Sequence, residues 1–197
     1  MKALLIGINS KYIHPSVSLY QLRANTTYEC DLIELTIKDS LDTIISKLNK
    51  LDLSSYHIFA CSCYLWNIDK YLELIPVLKT YNSSAKIVLG GPEVAYDANY
   101  FLSKFSYIDY ILEGEGEISF HELLEYLDNK RLINNVSNLH YKEDNILIVT
   151  HKAIARTILA HLLGLSPEQS GIFEPDNGRI AVVDFVEGSG KLEGLNI

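Results

Sequence analysis

Lys2-Ala3-Leu4-Leu5-Ile6-Gly7-Ile8 is the stretch on which the fold turns. Its apolar residues run without alternation, as in a strand whose sheet is covered on both faces. Cys30 to Leu35, His57 to Cys63, Lys86 to Leu89 and Tyr107 to Leu112 repeat the theme as four further strands. Helical patterns fall between them. Pro15 opens one with Val17, Leu19, Tyr20 and Leu22 at its apolar positions, since proline is tolerated in a first helical turn. Ser40 is the expected N-cap of a second helix carrying Leu41, Ile44, Ile45 and Leu48. Asn67 is the expected cap of a third, reaching about Tyr81, which Pro76 is expected to kink or break. Phe120, Leu123, Leu124 and Leu127 belong to a helix after the fifth strand. This alternation implies an α/β fold, a flavodoxin-like doubly wound parallel sheet of order 2-1-3-4-5.

Ligands of such sheets bind beyond the carboxyl ends of the strands. Here those ends are Gly7 to Ser16, Cys61 to Asn67, Gly90 to Glu93 and Glu113 to Glu117, which hold much of the chain's glycine. Glycine there lets a backbone approach a ligand closely.

Beyond about residue 145 the pattern changes. Leu139 to Val149 reads as a hairpin turning at Glu143-Asp144-Asn145, and Ile154 to Leu163 as a helix stopped by Gly164. Ile180 to Phe185 and Leu192 to Leu195 read as antiparallel C-terminal strands joined by Glu187-Gly188-Ser189-Gly190. Two domains are expected, 1–145 and 146–197, the second packed on or extending the first. An unpaired sheet edge would favour a homo-oligomer.

The 197 residues are enough for a real core. The net charge of −8 and the scatter of Lys and Arg argue against a nucleic-acid surface. No apolar run is long enough to span a bilayer, and the first residues lack a signal-peptide pattern. With Cys30, Cys61 and Cys63 an odd set, a reducing cytoplasm is expected rather than a disulfide framework. Neither these cysteines nor the six histidines show metal-ligand spacing, and no Cys-x3-Cys-x2-Cys set for an iron–sulfur cluster is present.

Four loops carry a resemblance. They are Asn9-Ser10-Lys11-Tyr12-Ile13-His14-Pro15-Ser16, Cys61-Ser62-Cys63-Tyr64-Leu65-Trp66-Asn67, Gly90-Gly91-Pro92-Glu93 and Gly114-Glu115-Gly116-Glu117. In this order they resemble the N-terminal cobalamin-binding domain of cobalamin-dependent radical SAM enzymes, the group that includes anaerobic magnesium-protoporphyrin ester cyclases. The resemblance implies a corrinoid held by Asn9, Ser10, His14, Ser16, Ser62, Tyr64, Leu65, Gly90, Gly91, Pro92, Glu93, Gly114, Glu115 and Gly116. Gly90 and Gly91 would leave room for the nucleotide tail, and Ser62 would hydrogen-bond it. The Asp-x-His-x-x-Gly motif that places histidine on cobalt in related proteins is missing, so the implied mode has no histidine on cobalt. A radical SAM catalytic domain is the implied partner. Plain structural readings stand beside these. Gly90-Gly91 also reads as a strand-to-helix turn, Ser62 as satisfying local backbone, and Gly114-x-Gly116 as a helix cap with Glu115 and Glu117 at its positive end. Tyr64 and Trp66 suit a flat ligand, an interface or simple packing.

The tail resembles the C-terminal part of histidine phosphatases of the phosphoglycerate-mutase-like superfamily. The resemblance rests on Ile146-Leu147-Ile148-Val149-Thr150-His151, on Arg156, on His161-Leu162-Leu163-Gly164-Leu165-Ser166-Pro167-Glu168 and on Asp176-Asn177-Gly178. It implies that His151 is a vestigial phosphate-site residue. The family's nucleophilic Arg-His-Gly occurs nowhere in the sequence, which disfavours a phosphoryl-transfer enzyme. The expectation is a cobalamin-binding module with no catalytic residues of its own, and the abrupt join near Asn145 leaves a chimera of two families' parts open.

Overall fold

Strand β1 (Lys2–Asn9) is the buried axis of the first part of the chain, with residues 3–8 all buried. It pairs in parallel with β2 (Glu29–Thr36) on one side and β3 (Ile58–Ser62) on the other. Parallel pairing continues to β4 (Lys86–Gly90) and β5 (Tyr110–Leu112), and β6 (Leu139–Tyr141) closes the sheet antiparallel to β5. The order is β2-β1-β3-β4-β5-β6. The computed structural model describes residues 1–10, 15–142, 148–186 and 189–197, which divide into two units, 1–143 and 144–197.

Alternation along the strands builds a core on each face of this sheet. Leu4, Ile6, Phe59, Cys61, Ile87 and Leu89 point to the face covered by α2 (Leu41–Leu48), α3 (Ile68–Tyr81), α4 (Pro92–Ala95) and α5 (Ala98–Lys104). Ala3, Leu5, Ile58, Ala60, Val88 and Leu112 point to the other, covered by α1 (Val17–Ala24) and α6 (Gly116–Leu127). The doubly wound order read from the sequence holds for the five parallel strands.

Several local expectations are corrected. Helix α3 runs unbroken through Pro76. Proline cannot donate to the carbonyl four residues earlier, and the Tyr107 hydroxyl donates to that carbonyl, Leu72 O, at 3.3 Å. Tyr107, expected in the fifth strand, lies before β5, which starts at Tyr110. Pro15 lies outside α1, whose N-cap is Ser16. Helices α4 and α5, unforeseen in the sequence, are started by Pro92 in the first turn and by the Asp97 carboxylate, which accepts from Tyr100 N. Ser40 does cap α2, accepting from Thr43 N at 3.2 Å.

Of the expected hairpin over Leu139–Val149, the described residues show one strand, β6. Leu139–Tyr141 pairs with β5, because that edge offers unpaired backbone groups and the α6 face buries Leu139 and Tyr141. Ile148 to Thr150 have no regular structure, and the expected turn at Glu143-Asp144-Asn145 lies outside the described residues.

The second unit contains α7 (Lys152–Leu162) and the antiparallel pair β7 (Val182–Val186) and β8 (Ser189–Gly194) around a small core of Leu159, Ala160 and Phe173. Gly164 follows α7 at φ +69°, as its expected stop requires. Ser189 and Gly190, expected in the turn, belong to β8, and Glu187-Gly188 lies outside the described residues. A side chain at Gly190 would meet Leu162 O at 2.3 Å, so the strand passes close to the end of α7. No helix among the described residues is long and apolar enough to cross a membrane.

Candidate functional site

The chain leaves β1 toward β2 and returns on the other side of it as β3, so the loops after β1 and β3 diverge. A cleft of about 270 Å³ opens between them, lined among others by Asn9, Ser10, Ser16, Ser62, Tyr64 and Trp66.

The β1 wall is built by hydrogen bonds to a carboxylate on the neighbouring strand. Glu34 lies opposite Gly7 in the β1–β2 ladder. It accepts from Asn9 Nδ2 at 3.0 Å, from Ser16 N at 2.6 Å and from Tyr20 Oη at 2.9 Å. Burial works against its ionisation, but the donors Ser16 N–H, Asn9 and Tyr20 outweigh it and hold the carboxyl below its ordinary range. The Ser16 hydroxyl donates to Asn9 Oδ1 instead of capping α1. It also sits in the space a side chain at Gly7 would need, 2.4 Å from that Cβ position.

The β3 wall depends on two buried polar side chains. Strand β3 pairs with β1 only as far as Ile6 opposite Cys61, so Ile8 faces no strand on that side. Tyr71 Oη accepts from Ile8 N at 2.9 Å and donates to Ile6 O at 2.8 Å. Asn67 Nδ2 donates to Ile8 O and Ser62 O, both at 3.0 Å, and Asn67 Oδ1 accepts from Tyr64 N at 2.7 Å. Asn67 thus braces the loop and caps no helical N–H with its side chain, against expectation. Ser62 Oγ lies 3.2 Å from Ser18 Oγ, which joins the two walls. At the rim the Tyr64 and Trp66 rings stack with centroids 4.6 Å apart and planes 5° from parallel, and Trp66 is half-exposed.

Of the residues singled out in the sequence, the cleft gathers Asn9, Ser10, Ser16, Ser62 and Tyr64. Leu65 points to solvent at 77% exposure, and His14 lies outside the described residues. Gly90 continues the same sheet edge, paired with Ser62 and Leu112, and the nearest atom to a Cβ there would be Leu112 O at 3.6 Å. Gly91 has φ +107° and would drive a Cβ to 2.4 Å from Cys63 O, so its close approach is to protein backbone. Pro92 and Glu93 form the first turn of α4. Gly114 has φ +72°, Glu115 is the N-cap of α6 without a side-chain bond, and a Cβ on Gly116 would press on Leu22 at 3.0 Å. These seven residues do not line the cleft.

Chemically the cleft offers hydroxyl and amide groups beside an aromatic rim. Burial pushes the Cys61 and Cys63 thiols upward, which keeps them protonated and unreactive. No group of three metal-ligating side chains occurs among the described residues. In the second unit His151 is exposed at the N-cap of α7, while Arg156 donates to Phe173 O at 2.7 Å and pairs with Glu174 at 2.5 Å. Glu34, Tyr71 and Ser18 were not singled out in the sequence. Glu34 acquires its place only through the register that sets it against Gly7.

Residues 4–124 match the family model described as B12 binding domain, and residues 111–197 match that of the histidine phosphatase superfamily (branch 1). A 67-residue stretch, 34% of this chain, is 36% identical to the cobalamin-dependent radical SAM methyltransferase TokK of Streptomyces tokunonensis. The same length is 34% identical to a 2-(S-pantetheinyl)-carbapenam-3-carboxylate methyltransferase of Streptantibioticus cattleyicolor. The matched stretch spans 10% of each of these relatives. The fold is similar to that of the cobalamin-dependent S-adenosylmethionine radical enzyme OxsB with aqua-cobalamin and S-adenosylmethionine bound. There the TM-score is 0.61 at 15% identity, over 78% of this chain and 23% of that one.

Proposed function

We propose that this chain, which belongs to the B12 binding domain family, holds a corrinoid at the carboxyl edge of its parallel sheet and presents it to a radical S-adenosylmethionine catalytic domain. The observation that carries the reading is the cleft between the β1 and β3 loops, at the point where the strand order reverses. Its polar lining suits a hydrogen-bonding ligand. A volume of about 270 Å³ takes a slender part of a corrinoid such as its nucleotide tail, leaving the broad ring outside beside Tyr64 and Trp66. Gly90 lies on the same sheet edge, where a Cβ would rest in ordinary contact with Leu112 O at 3.6 Å. Asn9, Ser10, Ser16 and Ser62 hold the polar part of the ligand, and Tyr64 faces its flat part. Gly90–Glu93 and Gly114–Gly116 border it along the same sheet edge.

Bound cobalamin supplies a cobalt centre for group transfer. This chain's residues bind and orient it, and the cobalt carries no histidine from this chain, since Asp-x-His-x-x-Gly is missing. With no Cys-x3-Cys-x2-Cys in the sequence, radical chemistry belongs to a separate domain. The relatives' names support this role, and the substrate of the assembled enzyme is left to that domain.

The match over residues 111–197 brings a phosphoryl-transfer reading with it. We assign residues 146–197 as a histidine-phosphatase-like segment without that activity. The sequence contains no Arg-His-Gly nucleophile, and Arg156 is committed to Glu174 and Phe173 O.

The test is a visible-absorbance titration with hydroxocobalamin followed by gel filtration. Retention near one per chain, with a spectrum lacking a protein histidine on cobalt, is the expected result. No retention by folded protein would overturn the reading.

A further inference from the structure

We infer that Glu34 is the positioning residue of the cleft, setting the β1 wall from the neighbouring strand by fixing Asn9 and Ser16 together. The inference rests on the corrinoid reading for its ligand, but its structural half stands alone. Both oxygens of the carboxylate are used, one by Asn9 Nδ2 and Ser16 N and the other by Tyr20 Oη. Asn9 in turn spends both ends of its amide, Nδ2 on Glu34 and Oδ1 on the Ser16 hydroxyl. The result is a closed ring of three residues from three elements, with no polar end left to swing.

The start of α1 needs such a partner. Its N-cap residue makes no side-chain cap and its first turn carries no acidic residue, so neither of the usual devices at a helix N-terminus is present. Ser16 N–H instead donates a charge-assisted bond to Glu34 at 2.6 Å. That bond places the Ser16 hydroxyl over Gly7, where a side chain would collide with it at 2.4 Å. Gly7, Ser16 and Glu34 are therefore one device. The glycine makes the space, the serine fills it, and the carboxylate holds the serine there. Ser16 and Asn9 then present fixed faces to the cleft, while Glu34 itself is absent from the residues lining it.

The experiment compares the full chain with Glu34→Ala and Glu34→Gln in two readouts. The first is amide hydrogen exchange at residues 16–19 without ligand. The second is affinity for hydroxocobalamin by the titration above. Glu34→Ala is expected to speed exchange at Ser16 about tenfold or more and to weaken affinity about tenfold, as loss of a charge-assisted hydrogen bond does. Glu34→Gln, whose carboxamide oxygen still accepts one bond, recovers part of both. Exchange or affinity within about twofold of the unaltered chain for Glu34→Ala would overturn the inference. Should Glu34→Ala fail to fold, Glu34→Gln decides through the same readouts, with intermediate values supporting the inference and unchanged ones overturning it. If the unaltered chain retains no cobalamin, the corrinoid reading falls, and the exchange measurement alone still decides the role of Glu34.

Discussion

The Asn67 side-chain amide donates to the main-chain carbonyl of Ile8 at 3.0 Å, tying β1 to the loop after β3 at the point where the ladder between those strands has ended. Tyr71, four residues on and so on the same side of the helix, accepts from the Ile8 N–H at 2.9 Å. Two side chains of α3 and its cap thus replace the missing strand.

Asn67→Ala should be costly, because Asn67 is 1% exposed and its loss strands Ile8 O, Ser62 O and Tyr64 N. A destabilisation of about 2–3 kcal/mol is expected from unpaired buried groups. Urea unfolding of the two proteins measures it, and a difference below about 0.5 kcal/mol would show that water replaces the amide there.

Gly90 and Gly91 should separate in their effects. Gly91→Ala meets Cys63 O at 2.4 Å from a backbone at φ +107° and is expected to destabilise by about 2 kcal/mol or more. Gly90→Ala meets nothing closer than 3.6 Å, so stability should stay within about 0.5 kcal/mol while hydroxocobalamin retention falls. Equal loss of retention at equal stability in both variants would contradict this division.

Tyr107→Phe removes the hydroxyl that serves the Leu72 carbonyl before Pro76. The expected cost is about 1 kcal/mol. Combining it with Pro76→Ala should recover most of that loss, since the main chain at position 76 would then have an N–H to donate to Leu72 O. Additive effects in this double-mutant cycle would sink the explanation.

Acid should weaken the β1 wall. The Glu34 carboxyl is held below its ordinary range in the folded chain. Its stabilising contribution is therefore full above the unfolded value, about 4.3 for Glu, and is lost as pH falls through the lower folded value. Unfolding free energies of the unaltered chain and Glu34→Gln should converge on acidification through this range. A constant gap from neutral to acid pH would assign the effect to something other than the charge.

The parallel sheet was legible because both its faces are covered. Continuous apolar runs such as Leu4-Leu5-Ile6 then mark strands without ambiguity, and the glycines and polar residues after them mark the carboxyl edge. The resemblance carried by the four loops added the ligand class. Less was legible where one residue answers to a distant one. Asn67 reads as a helix cap until Ile8 is known to face it, and Pro76 reads as a break until Tyr107 is known to lie beside Leu72. Leu139–Tyr141 reads as half of a local hairpin until the open edge of β5 is placed next to it.

What the sequence by itself determined is the succession of buried strands and covering helices, because burial periodicity is a local property of the chain. It also determined the missing motifs, Asp-x-His-x-x-Gly, Cys-x3-Cys-x2-Cys and Arg-His-Gly, that frame the proposed chemistry. Only the tertiary structure decided that Glu34, Asn9, Ser16 and Asn67 build one cleft. The bonds from Ser16 to Glu34 and from Asn67 to Ile8 join residues 18 and 59 positions apart, and contacts at that distance exist only once the strands and helices have packed, because neither partner lies within the other's local pattern.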